Sequence, residues 1–261
     1  MTQSVVVTGS GAGLGRAIAH RLAQDGWIVV GIELTADENA PDPDCRAVVQ
    51  GDVSDRDVHE RAAALARSFA PLGGWVNNAG VGRPTPLHDL DEADARTIVG
   101  INGLGSLWGC SAAVSAFVDQ VSGGSIVNIG SIHGQHSSRD RAVYEFTKGG
   151  VEALARSIAV SYGPFGIRAN TVAPGSIRTP HLEAQIANAA DPAAEERWLA
   201  DGPPVRRIAG PDEIAAVVAF LLSPDASYVT GETIAVDGAW SAVFGTFRPD
   251  EDLYKRYNIT P

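Results

Sequence analysis

Cysteine is scarce in this 261-residue chain, which holds only Cys45 and Cys110. They lack metal-ligand spacing and suggest no disulfide framework, so two stray thiols in a reduced, cytoplasmic protein are expected, with no metal site. Basic residues are outnumbered, 20 Lys and Arg against 31 Asp and Glu, for a net charge of −11. That balance argues against nucleic acid or an anionic membrane as partner. Long apolar runs are also missing: the longest uninterrupted one, Ile214 to Leu222, is too short to cross a bilayer. A strand pattern begins at Ser4, which leaves no room ahead of it for a signal peptide. No Pro/Gly/Ser-rich linker, low-complexity tract or internal repeat divides the chain. With 44% hydrophobic residues, one domain over 1–261 with a sizeable core is expected.

What is present alternates strand and helix signals from end to end. Ser4–Thr8 (S-V-V-V-T) reads as a buried strand, followed by the loop Gly9-Ser10-Gly11-Ala12-Gly13-Leu14-Gly15. A helix is expected from Arg16 to about Asp25, then a second strand from Trp27 to Ile32 that ends at Glu33. This order is the dinucleotide-binding layout, although the spacing differs from G-x-G-x-x-G. Glycines let the backbone approach a pyrophosphate, and the helix N-terminus offers it free N–H groups. Glu33, 18 residues past Gly15, can accept both adenosine ribose hydroxyls and repels a 2′-phosphate. Its neighbours Ala12 and Leu34 bring no positive charge, which favours NAD over NADP; the plain alternative is a solvated acid at a strand end.

Arg46 to Gln50 reads as a third strand, leading to Asp52-Val53. Asp52 could accept the adenine amino group, or Asp52 or Ser54 could cap the helix expected from about Asp55 to Phe69. A fourth strand from Gly74 to Asn77 runs into Asn78-Ala79-Gly80, small residues and an amide suited to a floor beneath a flat ring. One long helix is expected from about Glu92 to Asp119, apolar at Ile98, Ile101, Leu104, Leu107 and Val114, with Asn102 as a polar intrusion that faces water, binds backbone or serves the site. Ile167 to Val172 gives another strand, ending in Pro174-Gly175 and continuing through Ile177 and Thr179. Residues 176–207 have weak helical patterning broken by Pro192, Pro203 and Pro204, as in a flap over a pocket. A helix at Pro211–Leu222 and a strand near Thr233–Val236 close the domain. The tail at 241–261, with Phe244, Phe247, Tyr254 and Tyr257, is apolar enough to need a docking surface.

The chemistry concentrates between Ser131 and Lys148. Gly124 to Gly130 has strand alternation, so Ser131 falls at a strand end; from Ala142 the pattern turns helical, which places Tyr144 and Lys148 on one helix face. A free tyrosine titrates near 10 and a neighbouring cation favours its phenolate; reaching neutrality takes roughly 3 units, or ~4 kcal/mol. Alone, Y-x-x-x-K is weak, since a half-buried tyrosine under a snorkelling lysine has the same spacing. Its company decides the reading. In a covered parallel sheet, ligands sit beyond the carboxyl ends of the strands, and the glycine loop, Glu33, Asp52, Asn78, Ser131 and Pro174–Thr179 all fall there.

These motifs, with Thr230-Gly231 and Asp237-Gly238 and a 13-residue gap between Ser131 and Tyr144, resemble the short-chain dehydrogenase/reductase family, over essentially the whole chain. The resemblance implies an α/β fold, a single-domain doubly wound Rossmann-like parallel sheet of about seven strands with helices on both faces. It implies a nicotinamide cofactor and a tetrad of Asn102, Ser131, Tyr144 and Lys148. Tyr144 would exchange a proton with the substrate oxygen, Ser131 would hydrogen-bond that oxygen, Lys148 would acidify Tyr144 and hold the ribose, and Asn102 would hold a relay water. Gly9, Ser10, Gly13, Leu14, Gly15, Glu33, Asp52, Val53, Asn78, Ala79, Gly80, Pro174, Gly175, Ile177 and Thr179 would contact the cofactor, Ile177 and Thr179 at its carboxamide. A homotetramer is usual in the family, and the tail has no role to carry over.

The expected activity is therefore interconversion of a secondary alcohol and a ketone with NAD. Ser-Ile-His-Gly followed by His136, Ser137, Arg139 and Arg141 makes the loop before the helix polar, which is similar to sugar and polyol dehydrogenases of the family. A small polar hydroxy compound is expected as substrate, with His133 touching it; the bland alternative is a solvated loop. Reduction of 3-oxoacyl or steroid-type carbonyls is the rival activity, and a catalytically silent NAD-binding regulator the rival class.

Overall fold

The computed structural model describes residues 2–35, 43–243 and 255–256. Seven strands, β1 (Ser4–Thr8), β2 (Ile28–Glu33), β3 (Ala47–Gln50), β4 (Leu72–Asn77), β5 (Gly124–Ile129), β6 (Ile167–Pro174) and β7 (Thr233–Val236), form one sheet in the order β3-β2-β1-β4-β5-β6-β7. Every pairing is parallel. Strands buried on both faces need apolar side chains in both directions, and β1 shows why S-V-V-V-T serves. Val5 and Val7 join the core under α1 (Gly13–Gln24) and α8 (Pro211–Leu222), with Ile18, Leu22, Ile214 and Val218. Val6 points the other way, to Val30, Ile32, Trp75, Phe117 and Ile126 beneath α2 (Arg56–Phe69), α4 (Gly105–Gln120) and α5 (Ala142–Tyr162). From β1 the chain builds outward to β2 and β3, then crosses to β4 on the other side, and that reversal opens a crevice at the strands' carboxyl ends.

The long helix expected over Glu92–Asp119 is not one helix. Helix α3 (Glu92–Ile98) passes into a π-helical turn, Val99–Leu104, before α4 begins. Gly100, Gly103 and Gly105 weaken helical preference there, and Asn102 draws the chain sideways. Its Oδ1 accepts the Val81 N–H at 2.8 Å and its Nδ2 donates to Val81 O at 2.9 Å, so the amide binds backbone 21 residues away. A β-carbon on Gly105 would lie 3.1 Å from Val53 O, so glycine lets the helix rest on that turn. By length and composition Glu92–Gln120 could span a membrane, unlike any uninterrupted apolar run, but here it is over half buried inside the fold.

The segment read as a proline-broken flap forms two helices, α6 (Pro180–Ala187) and α7 (Pro192–Asp201). Prolines open both, since the first helical position has no N–H to satisfy and favours their fixed φ. They enclose a small core of Ile186, Leu199 and Ile208. The tail aromatics Phe244, Phe247, Tyr254 and Tyr257 lie outside the described residues.

Helix α2 buries a histidine. His59 is fully enclosed, its Nε2 bonded to Val53 O at 2.7 Å and its Nδ1 without a partner. Burial holds its pKa below the ordinary value, outweighing the Val53 bond and nearby Asp57. The unfolded chain therefore takes up a proton below about pH 6.5 that the native state refuses, so stability falls as pH drops below that value, by at most about 1.4 kcal/mol per unit for one site. Urea titrations between pH 8 and 5 should show this loss, and His59→Gln should reduce the slope. An equal slope in the variant would place the linkage elsewhere.

Candidate active site

The glycine loop is shaped by left-handed backbone at Gly9 (φ +67°) and Gly13 (φ +53°), which glycine adopts without strain. A β-carbon at Gly15 would sit 1.8 Å from Gly9 O, so the loop closes on itself only with glycine there. No side chain caps α1, leaving its first-turn N–H groups for an anion. Leu14 turns into the core. Glu33 reaches across from the end of β2, its Oε1 accepting from the Gly11 N–H and, at 3.3 Å, from Ser10 Oγ. A carboxylate is therefore seated within the loop, with Leu34 and Ala12 exposed beside it.

Asp52 does not cap α2, and neither does Ser54. The N-cap is Asp55, without a side-chain bond, while Asp52 Oδ1 accepts the Ser54 N–H at 2.8 Å and tightens the turn beyond β3. Val53 is buried and its carbonyl is held by His59. The Asn78 side chain ties this segment to the glycine loop: its Nδ2 donates to Thr8 O at 2.9 Å and Gly9 O at 3.1 Å. Thr8 Oγ1 accepts the N–H groups of both Asn78 and Ala79 at 2.9 Å, a brace between β1 and β4 that depends on residues 70 and 71 positions apart and so leaves no local signal. Gly80 faces Asn102 and Lys148, where a β-carbon would meet Asn102 Oδ1 at 3.4 Å and Lys148 Nζ at 3.7 Å.

Ser131 follows β5 and is buried. Its Oγ accepts the His133 N–H at 3.2 Å, within the turn Ile132–Gly134, which leaves the hydroxyl hydrogen free to donate. Tyr144, one turn into α5, is half-buried, and the His133 ring meets it edge-on at 6.1 Å. Lys148 is buried, its Nζ 5.5 Å from the centre of the Tyr144 ring and donating to Ile129 O at 2.8 Å. That bond to the last residue of β5 uses one of three ammonium hydrogens, so two remain. The Asn102 side chain binds Val81, with Nδ2 also 3.4 Å from Thr147 Oγ1, and its backbone carbonyl accepts from Ser106 Oγ at 2.8 Å.

On the far side of the crevice, Gly175 packs against Asp237, where a β-carbon would lie 3.1 Å from that residue's own. Ile177 pairs with Ala209, and Thr179 caps α6 by accepting the Leu182 N–H at 3.3 Å. Thr179 also stands over the glycine loop, 3.4 Å from where a Gly13 β-carbon would be. Arg178, between them, forks to Glu183 and Glu196 and ties this loop to both helices above it. Glu152, one turn beyond Lys148, is a buried carboxylate that sequence reasoning missed. Its Oε2 accepts from Gln135 Nε2 at 3.0 Å, its Oε1 has no partner, and a β-carbon at Gly134 would strike that oxygen at 2.3 Å.

A donor-lined glycine turn, a carboxylate at the second strand's tip and a buried lysine beside a tyrosine thus share one edge of the sheet, and these groups fit a dinucleotide. Residues 9–241 match the family model described as "Enoyl-(Acyl carrier protein) reductase". The chain belongs to the short-chain dehydrogenase/reductase family. This short-chain dehydrogenase/reductase is 37% identical over 257 residues to levodione reductase of Leifsonia aquatica, covering 92% of this chain and 94% of that one. It is 39% identical over 249 residues to cis-4-hydroxycyclohexanecarboxylate dehydrogenase of Sinomonas cyclohexanicum, covering 91% and 96%. The ligand-free aldohexose dehydrogenase of Thermoplasma acidophilum superposes with a TM-score of 0.86 at 27% identity, over 95% of this chain and 98% of that one. The short-chain dehydrogenase/reductase is accordingly an oxidoreductase of a family that uses NAD or NADP, acting on a small molecule.

Proposed function

We propose that the protein is an NAD-dependent oxidoreductase interconverting a secondary alcohol and a ketone on a small polar substrate, a sugar, polyol or hydroxylated ring. The observation that carries this reading is the convergence of Ser131, Tyr144 and Lys148 beside Gly80 at the crevice. The names of three relatives, levodione, cis-4-hydroxycyclohexanecarboxylate and aldohexose, support a compact hydroxy or oxo compound, while 35% identity over 245 residues to 3beta-hydroxysteroid dehydrogenase 1 of Eggerthella lenta keeps a steroid-type carbonyl as the rival substrate.

A bound nicotinamide dinucleotide exchanges the hydride; the chain's residues do the rest. The glycine loop and the open end of α1 would hold the pyrophosphate, and Glu33 the adenosine ribose. Lys148 would give its two remaining hydrogens to the second ribose. Ser131 donates its free hydroxyl hydrogen to the reacting oxygen and orients it. Tyr144 passes a proton to that oxygen in reduction and removes it in oxidation. Asn102, which with Lys148 borders Gly80, would hold a water that reconnects the site to solvent. Leu107 on α4, with Phe146 and Val160 on α5, is exposed, which supports packing between copies in a tetramer; sedimentation as a monomer would oppose that assembly.

Absorbance of the reduced cofactor, followed across a panel of sugars, polyols, cyclic alcohols and hydroxy acids with each cofactor, tests the reading. NAD is expected to be preferred. Glu33→Ala should relax discrimination against NADP by about tenfold or more, the effect of losing a charged acceptor at the ribose. A wild type that prefers NADP would overturn the role of Glu33. Cofactor binding without turnover anywhere on the panel would favour a silent binding protein.

A further inference from the structure

Arg141 stands at the mouth of this site with nothing to neutralise it. It is the residue before α5, its side chain makes no capping bond, and among the described residues it has neither a side-chain hydrogen bond nor an ion pair. Its neighbours differ. Arg83 pairs with Asp94, Arg139 with Asp140, and Arg178 with Glu183 and Glu196. In a chain with 31 acidic residues, a half-buried guanidinium left alone beside a catalytic tyrosine stands out.

The backbone aims it. Asp140 takes a left-handed conformation (φ +59°), which its short side chain tolerates better than most. Buried Thr85 clamps both sides of the turn, its N–H donating to Asp140 O at 2.6 Å and its Oγ1 accepting from the Val143 N–H at 3.2 Å. Arg141 is thereby directed over Gly82. A β-carbon there would lie 3.4 Å from Arg141 Nη1 and 3.6 Å from Cδ2 and Cε2 of Tyr144, so guanidinium and phenol ring flank one point. His133 borders the same mouth through its edge contact with Tyr144.

Arg141 is the unpaired charge at this mouth, since the Lys148 ammonium lies buried and bonded to Ile129 O. Burial keeps His133 below its ordinary pKa, with Glu145 opposing and Arg141 reinforcing that shift, so the ring is neutral at pH 7. Glu145 is largely enclosed and its Oε1 is engaged by the Ser138 N–H at 2.8 Å. Asp140 faces Arg139.

We propose that Arg141 is a specificity-determining residue that binds a carboxylate carried by the substrate, so that among small hydroxy and oxo compounds the enzyme prefers those bearing an acid group. This deepens the oxidoreductase reading above and rests on it. One guanidinium matches the single charge of a carboxylate, and its planar fork can hold both oxygens. The reacting hydroxyl then sits at Ser131 and Tyr144 while the acid group is gripped at the rim.

The test compares kcat/KM for 4-hydroxycyclohexanecarboxylate and its carboxamide, in wild type, Arg141→Gln and Arg141→Lys. A charge-assisted fork is expected to favour the acid by about 10- to 100-fold in wild type, mainly through KM. Arg141→Gln should bring the ratio to within about threefold of unity, and Arg141→Lys should fall between, having charge without the fork. Because the side chain bonds to nothing in the fold, the thermal midpoint should stay near wild type. Calorimetry with cyclohexanecarboxylate, added to the enzyme saturated with NAD, gives a readout independent of turnover; Arg141→Gln should weaken it by a similar factor. Wild type indifferent to the charge, or Arg141→Gln keeping the preference, overturns the proposal. Should neither alcohol be oxidised, the oxidoreductase reading fails on these substrates, and the calorimetric comparison still decides for or against Arg141.

Discussion

Tyr144→Phe is expected to lower kcat by about 10²- to 10⁴-fold while cofactor affinity stays close to wild type. The substitution removes one oxygen and little else. The ring's edge contact with His133 at 6.1 Å, its place under Lys148 Nζ at 5.5 Å and its contact with Gly82 all involve carbon atoms that phenylalanine keeps. Ser131 still offers its hydrogen to the substrate oxygen, so orientation survives, but the group that moves the proton is gone. Lys148 is held on Ile129 O and its two remaining hydrogens are assigned to the ribose, so no other group is placed to move that proton. Fluorescence titration of NAD gives the binding arm and the initial rate at saturating cofactor gives the chemical arm. A variant within a few-fold of wild type in kcat would remove Tyr144 from proton transfer. Weakened cofactor binding alone would make it a binding residue instead.

The parts of this site legible in the sequence are those set by local pattern. An apolar run ending in a glycine turn placed β1 and its loop at the observed positions, and proline followed by a continuous apolar stretch did so for α8. Four-residue spacing on a helix placed Tyr144 and Lys148 on one face. What stayed hidden depends on partners distant in the chain. The π-helical turn forms where the Asn102 amide pairs with Val81; Gly100 and Gly103 weaken helical preference there, but nothing in the local sequence names that distant partner. Glu152 reads as an ordinary helical acid until the turn carrying Gly134 and Gln135 folds over it. Asp52 suits an adenine acceptor or a cap equally well from sequence, because a cap and a self-closing turn need the same side chain one or two residues apart. Arg141 registered only as loop polarity, since its isolation is a property of where every neighbouring acid points.

Gly109→Ala is expected to destabilise the fold by roughly 2–4 kcal/mol, although alanine is the better helix former. The glycine lies in α4 against β4, where an added methyl carbon would fall 2.0 Å from Asn77 Oδ1 and 2.7 Å from Trp75 Nε1. Those two atoms share a bond of 2.8 Å, and Asn77 Nδ2 continues to Asn128 Oδ1 at 2.8 Å and Ser106 O at 3.3 Å. All of these residues are buried, so a bond that breaks finds no water in exchange, at about 1–3 kcal/mol for each group left bare. Helix preference returns at most about 1 kcal/mol, so the clash wins. Gly150→Ala is the matched control. Its added carbon meets nothing within 4 Å on exposed α5, so the same exchange should stabilise by about 0.5–1 kcal/mol. Urea unfolding at one protein concentration compares the two, and the opposite signs are the point: if Gly109→Ala is neutral, the Trp75–Asn77–Asn128 chain has room to yield. The consequence reaches the site as well, because Ser106 links this chain to Asn102 O and Asn77 leads directly into Asn78-Ala79-Gly80. Activity in Gly109→Ala should therefore fall further than the folded fraction does.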